Sequence, residues 1–375
     1  MIKKILLIVL VLLTALIVGI YGTGNSYVFK AIWYNYTDID DYKIFDNRTI
    51  KHDAVLRWPS GSNYNSIQPD LQLRNKLQKI KTNALVVIRN DSLVYEEYWD
   101  EFNKKTISNS FSVAKSIVST LIGIALQDGL IKSIDDPVSD YLTDFNSDLQ
   151  KKVTIRHLLT MSSGSDWDES YESLFSIVTK AYYGQQLEEL AKSVTIIDTP
   201  GTLWNYKSGD TELLALVLNR VTGKTLSEYA SEKLWKPLNA EQDALWSVDR
   251  EDGVEKAYCC FNATARDFAR IGSLYLNEGK WKGRIILNAK YIKQALKPVM
   301  IKDEQDSLVN YYGYQWWLLP DRDGVYYARG IQGQYIIIIP KKKCVVVRLG
   351  KERGPFKTFA HEEVYDLVDW ILKEY

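Results

Sequence analysis

Hydrophobic and polar positions divide the chain into unlike stretches. Lys3 and Lys4 precede a run from Ile5 to Ile20 that carries no charge and is broken only by Thr14 and Gly19. As a helix rising 1.5 Å per residue, this run is roughly 25 Å long, slightly short of a bilayer's hydrocarbon core and long for the apolar part of a signal peptide. Further on, Ala84 to Arg89 and Leu93 to Trp99 are rich in β-forming residues and flank Asn90-Asp91-Ser92, which predicts a hairpin. Gln334 to Ile339 and Cys344 to Leu349, around Pro340 and three lysines, predict another, and Phe359 to Glu374 has a helical apolar period. The simplest arrangement of an α/β chain of this α+β type is one antiparallel sheet assembled from both ends of the sequence after Ile20. Residues of roughly 115 to 300 then supply flanking helices and a mostly helical subdomain. Within that middle, Asp136-Pro137 and Thr154 to Met161 mark helix boundaries, and Trp204 to Val221 predicts a long amphipathic helix closed by Gly223.

The first run is an anchor or a signal. Tyr21-Gly22-Thr23-Gly24 makes a poor cleavage site after Ile20 and no cysteine lies nearby for lipidation, which favours an uncleaved anchor. Lys3 and Lys4 on the cytoplasmic side place the rest of the chain outside the cytoplasm, in the periplasm of a double-membraned cell, or secreted if the segment is cleaved. Composition then removes several classes. With 46% apolar and 12% aromatic residues among 375, the chain is not disordered. Its 47 basic and 47 acidic residues balance, and the short basic runs Lys151-Lys152 and Lys341-Lys342-Lys343 read as solvated loops, so no nucleic-acid partner is expected. Three cysteines make no disulfide scaffold; Cys259 and Cys260 are adjacent, which strains a bond between them, and they are expected as small buried apolar groups.

Chemistry is narrowed first by what is missing. There are three histidines, His52, His157 and His361, no Gly-x-Ser-x-Gly elbow, no clustered metal ligands and no phosphate-binding glycine loop. No metal or cofactor is therefore expected. What remains is Ser112-Val113-Ala114-Lys115 at the start of an apolar helical run. A spacing of three puts hydroxyl and amine on one face, one turn apart. Serine needs a base to take its proton, and lysine can be that base only when neutral, a form favoured by burial and by the positive end of a helix macrodipole. The free N–H groups at the same helix end can stabilise an oxyanion. A chain this long also produces one Ser-x-x-Lys by chance. Tyr206, in the Gly-rich turn Pro200 to Gly209, can relay a proton to a leaving group if it lies near lysine, or is simply a packed loop residue. Arg329-Gly330-Ile331-Gln332-Gly333-Gln334, just before an apolar strand, offers glycines that let a substrate backbone approach and an N–H that stays exposed, or is a bulge.

These three elements, in this order, resemble the serine β-lactamase-like hydrolases: class C β-lactamases, DD-peptidases and related esterases and amidases. The resemblance runs from about Thr82 onward. It includes Asp136 to Leu142, Ile155 to Gly164 and Ala263 to Arg270, and is strongest toward the 6-aminohexanoate-dimer hydrolase group in Tyr312-Gly313-Tyr314-Gln315-Trp316-Trp317 and Gly330 to Gln334. It implies the penicillin-recognising fold, with 1–24 as anchor or signal peptide, 25–80 as an N-terminal extension and 81–375 as the hydrolase domain. It further implies Ser112 as acylated nucleophile, Lys115 as base, Tyr206 completing proton transfer, and the N–H groups of Ser112 and Ile331 as oxyanion hole. Ser208, Gly330 and Gly333 would contact a small amide, peptide or ester substrate, and Trp167 and Tyr171, on the acidic aromatic loop Asp166 to Tyr171, would cover the pocket or belong to a packed surface loop. The chain departs from the group twice. Tyr-x-Asn is Tyr206-Lys207-Ser208, and Lys-Thr-Gly is Ala328-Arg329-Gly330, without the lysine that holds a β-lactam carboxylate. The expected function is hydrolysis of an amide or ester through acyl-Ser112; the alternatives are a DD-peptidase or β-lactamase, and a non-catalytic cell-envelope binding module.

Overall fold

Asn90 and Asp91 both take left-handed φ values, 48° and 54°, and close a two-residue turn between β1 (Thr82–Arg89) and β2 (Ser92–Tyr98). Such a turn matches the right-handed twist of the strands it joins. Four later strands complete the sheet: β3 (Trp317–Leu318), β4 (Tyr326–Gly330), β5 (Gln334–Ile339) and β6 (Cys344–Gly350). All neighbours are antiparallel in the order β3-β4-β5-β6-β1-β2, and β6 pairs with β1 so that Val345 faces Ile88 and Val347 faces Val86. The sheet is thus assembled from both ends of the sequence. Its strands are apolar on both sides because both are covered: Val86, Ile88, Ile336, Val345 and Val347 enter one core, and Leu85, Val87, Ile337, Ile339 and Val346 the other.

The computed structural model describes residues 1–375, apart from the side chains of Leu13 and Leu16. Seven helices matter to the site: α1 (Ile2–Gly22), α2 (Tyr27–Tyr34), α3 (Val113–Gln127), α4 (Ile177–Tyr183), α5 (Ser208–Thr222), α6 (Ala265–Leu276) and α7 (Glu362–Glu374). α6 lies on one face of the sheet, α7 and the helix Leu71–Lys79 on the other, and α3 packs between α5 and strands β4 and β5. The described side chains of α1 are exposed, apart from a half-buried Ile20.

Two expectations change. The helix expected from Trp204 begins at Ser208, because Leu203-Trp204 pair in parallel with Lys302-Asp303 and Lys207 is extended; its end is as expected, with Gly223 left-handed at φ 64°. Cys259 and Cys260 are buried but joined by a disulfide; Cys260 sits at φ 65° in a tight turn that brings the two sulfurs together. Residues 25–80 are stitched into the domain. Asn47–Ile50 is the edge strand of a four-stranded sheet with Ala244–Ser247, Phe261–Thr264 and Ile107–Asn109. The carbonyl of Ile39 accepts the N–H of Asn109 at 2.8 Å, and that of Thr37 accepts Gln332 Nε2.

Candidate active site

Ser112 occupies the N-cap of α3, and the residue before it is strained. Phe111 takes φ 44°, a conformation that costs a non-glycine residue about 1–3 kcal/mol. It is held there by its N–H to Asn109 Oδ1 (2.9 Å) and by the N–H of Val113 to Ser110 O (3.2 Å). One helical turn on, Lys115 Nζ lies 3.1 Å from Ser112 Oγ. The amine is 1% exposed and donates to the carbonyl of Tyr258 at 2.9 Å. It also lies 5.0 Å from the centroid of the Tyr206 ring and 5.5 Å from that of Tyr258, within cation–π range of both. A donor bond to Tyr258 fixes the end of a side chain that otherwise has four free torsions, and aims it at one hydroxyl.

Gly330 brings the second half of the site to the first. A Cβ there would fall inside the van der Waals reach of Ser110 O, so only glycine lets the end of β4 lie against the turn that carries Ser112. Ile331 follows at once, in the turn Ile331–Gly333 that joins β4 to β5, with Gln332 at φ 61° and Gly333 at φ 83°. That turn is pinned from behind by Arg348 of β6, which is fully buried. Its Nη1 donates to the carbonyls of Gln332 (3.2 Å) and Gly333 (2.7 Å), its Nη2 to Ile80 O (2.7 Å) and its Nε to Thr82 Oγ1 (3.0 Å). Gly333 lacks a Cβ so that this guanidinium can approach. Both glycines were expected to make room for substrate; within the chain, the close approaches they permit are those of Ser110 to Gly330 and of Arg348 to Gly333.

Tyr206 stands before α5, its ring 5.6 Å from Trp317 and 6.2 Å from Tyr312. Lys115 faces its ring, while the neighbouring Lys207 turns away to donate to Trp167 O at 3.1 Å. Ser208, the first residue of α5, is buried and gives its N–H to Glu169 Oε1. Glu169 Oε2 accepts from Tyr171. The Tyr171 ring is largely exposed, but its hydroxyl is tucked in beside Tyr206 and Ser208; this burial, with the Glu169 carboxylate next to it, pushes its pKa well above 10.0. Trp167, expected to cover the pocket, is 1% exposed and packs face-on to Gly209 and edge-on to Tyr258 at 6.4 Å, so it forms the floor under the loop. Asp210, in the first turn of α5, is fully buried on Ser163 Oγ at 2.6 Å, and burial pushes its pKa up to about 7. Glu169, Asp210, Tyr258 and Arg348 carried no signal of their own in the sequence, although Glu169 lies on the acidic loop that drew attention to Tyr171.

Beyond Tyr206 and Trp317 opens a cleft of about 470 Å³ lined by Trp204, Tyr311, Trp317, Phe356, Phe359 and His361, with two arginines, Arg329 and Arg353. The Arg329 guanidinium carbon stands over Trp317, 3.5 Å from the ring centroid. Neither arginine has an ion-pair partner among the described residues.

The chain matches the beta-lactamase family over residues 72–368. It is 27% identical over 303 residues to the 6-aminohexanoate-dimer hydrolase of Paenarthrobacter ureafaciens, a match covering 76% of each chain. Among solved structures it superposes, with a TM-score of 0.74 and 22% identity, on a Bacillus anthracis protein assigned as a 6-aminohexanoate-dimer hydrolase, covering 91% of this chain and 92% of that one. A family VIII carboxylesterase gives a TM-score of 0.67 at 16% identity, over 84% and 99% of the two chains. At these identities the structural likenesses carry the fold.

Proposed function

Because the chain belongs to the beta-lactamase family, whose relatives include amidases, esterases and peptidases, we propose that it hydrolyses an amide or ester bond through an acyl-Ser112 intermediate. The observation that carries this reading is the 3.1 Å approach of Lys115 Nζ to Ser112 Oγ on an amine already fixed by Tyr258. In its neutral form Lys115 takes the Ser112 proton as Oγ bonds to the substrate's carbonyl carbon. The carbonyl oxygen gathers negative charge between the N–H groups of Ser112 and Ile331, and the bond to the leaving nitrogen or oxygen breaks as Tyr206 passes it a proton. Water then attacks the ester, its proton returns along the same route, and Ser112 is released with a carboxylic acid.

The cleft supports a narrower reading. Aromatic walls suit an apolar segment of substrate, and Arg329 and Arg353 suit a carboxylate at the end of it. A linear amide or ester bearing a carboxylate, the kind of compound named by the 6-aminohexanoate-dimer hydrolases, has this shape. A β-lactam is less well served, since Ala328 stands buried and uncharged where the family's lysine would be. We read α1 as an uncleaved anchor with the catalytic domain outside the cytoplasm. A fluorophosphonate tests the chemistry: one adduct on the peptide that contains Ser112 is expected, and labelling of another residue would move the nucleophile elsewhere.

A further inference from the structure

The short helix after α1 has two unlike faces. Tyr27, Val28 and Ala31 are buried where α2 packs on α4, and Tyr34 stacks on Tyr183 at 6.5 Å. Of the others, Phe29 is half-buried and Lys30 is exposed, and three large apolar side chains stand in the open: Ile32 is 59% exposed, Trp33 83% and, just past the helix, Tyr36 82%. Water does not favour such a cluster, and nothing in the fold of the domain requires it. Its position supplies a reason. Only residues 23 to 26 separate α2 from α1, and Tyr21 in the last turn of α1 stacks on Phe29 of α2 at 5.5 Å. α2 is therefore folded back onto the place where the long apolar helix ends.

We propose that α2 and Tyr36 form an interfacial segment, seated by Ile32, Trp33 and Tyr36 in the headgroup layer of the bilayer that α1 crosses. The proposal rests on reading α1 as a membrane anchor. Tryptophan and tyrosine settle at that depth because an apolar ring with a polar edge matches a layer that is part hydrocarbon and part water. A helix with one apolar face lies in the plane of the same layer, and here its opposite face is occupied by α4. A protein partner would not explain the contact with α1 itself, whereas a lipid surface is continuous with it. The segment leads directly to the catalytic site. Thr37, next after Tyr36, accepts from Gln332 beside Ile331, and Ile39 accepts from Asn109, three residues before Ser112. Seating α2 thus sets the orientation of the catalytic rim toward the membrane.

The test uses the full chain in vesicles of phosphatidylcholine and phosphatidylglycerol. An environment-sensitive fluorophore is placed on Trp33→Cys, Tyr36→Cys, Val11→Cys in mid-α1, or Asp323→Cys on the exposed β3–β4 turn; the natural cysteines are buried. Ester turnover checks that each variant is folded. Labels at 33 and 36 are expected to lose emission about twofold with lipid spin-labelled near the headgroup, the label at 11 with lipid spin-labelled deep in the chain, and the label at 323 with neither. A quenched label at 11 with labels at 33 and 36 behaving like 323 overturns the proposal and leaves the anchor standing. A label at 11 quenched by neither lipid overturns the anchor, and the proposal with it.

Discussion

The amine of Lys115 lies 3.1 Å from the hydroxyl oxygen of Ser112, one turn along α3. Such a pair acts as one unit, so removing either member should cost nearly as much as removing both. Ser112→Ala and Lys115→Met are each expected to lower turnover of a p-nitrophenyl ester by about 10³-fold or more, with the double variant little worse. Circular dichroism should show an intact fold. Turnover retained by Ser112→Ala would end the assignment.

Tyr206→Phe keeps the ring contacts with Trp317, Tyr312 and Lys115 and removes only the hydroxyl. If that hydroxyl relays the proton, kcat should fall by roughly 10²–10⁴-fold with little change in KM, more steeply for an amide than for an activated ester. Equal losses on both substrates would argue for a packing role.

Arg348 satisfies the carbonyls of Ile80, Gln332 and Gly333 at once. Arg348→Lys supplies one compact charge where a planar fork is needed. Leaving a buried carbonyl unpaired costs about 1–3 kcal/mol, so the variant should unfold at lower urea. Its kcat should drop further than its stability explains, because the turn bearing Ile331 is freed. An unchanged kcat would separate Arg348 from the oxyanion site.

Arg329 and Arg353 can be tested by substrate contrast. Replacing either by Met should raise KM about tenfold for a p-nitrophenyl ester whose acyl chain ends in a carboxylate, and leave a neutral ester of equal length unaffected. Parallel losses on both esters would remove the carboxylate from the cleft.

Asp210 gives a pH dependence. Burial raises its pKa from 3.8 to about 7, so between these values the folded chain holds a proton that the unfolded chain has released. Its contribution to stability is present below the lower value and is lost as pH rises toward the upper one, by about 1.4 kcal/mol per unit. Asp210→Asn should flatten this slope, and urea midpoints at about pH 5 and about pH 7.5 measure it. A variant with the parent's slope would place the titration on another group.

Both hairpins were legible because their signals are local. Asn90-Asp91 turns where asparagine and aspartate tolerate left-handed φ, and the β-rich runs beside it pair antiparallel outward from Arg89–Ser92, with one register shift between Ile88 and Val87. The start of α5 was misjudged for a related reason. Trp204 continues a helical apolar period, but its backbone is committed to pairing with Asp303, a partner 99 residues away that no local period reveals. Trp167 is drawn toward the pocket in the sequence by its acidic aromatic loop, and the glycines at 330 and 333 toward substrate by their place at a strand entry; their contacts with Gly209, Ser110 and Arg348 come from distant parts of the chain or from the opposite side of the turn and leave no local signal.

By itself, then, the sequence placed the Ser112 hydroxyl and the Lys115 amine on one face of a helix, since residues three apart are one turn apart whatever surrounds them. It also determined that both ends of the chain after Ile20 supply strands. Only the tertiary structure decided where the Lys115 amine points, through a carbonyl 143 residues away at Tyr258, and what holds the Ile331 turn, through the guanidinium of Arg348. Helical spacing is a property of the backbone alone, whereas these contacts exist only after two remote segments have been buried against each other.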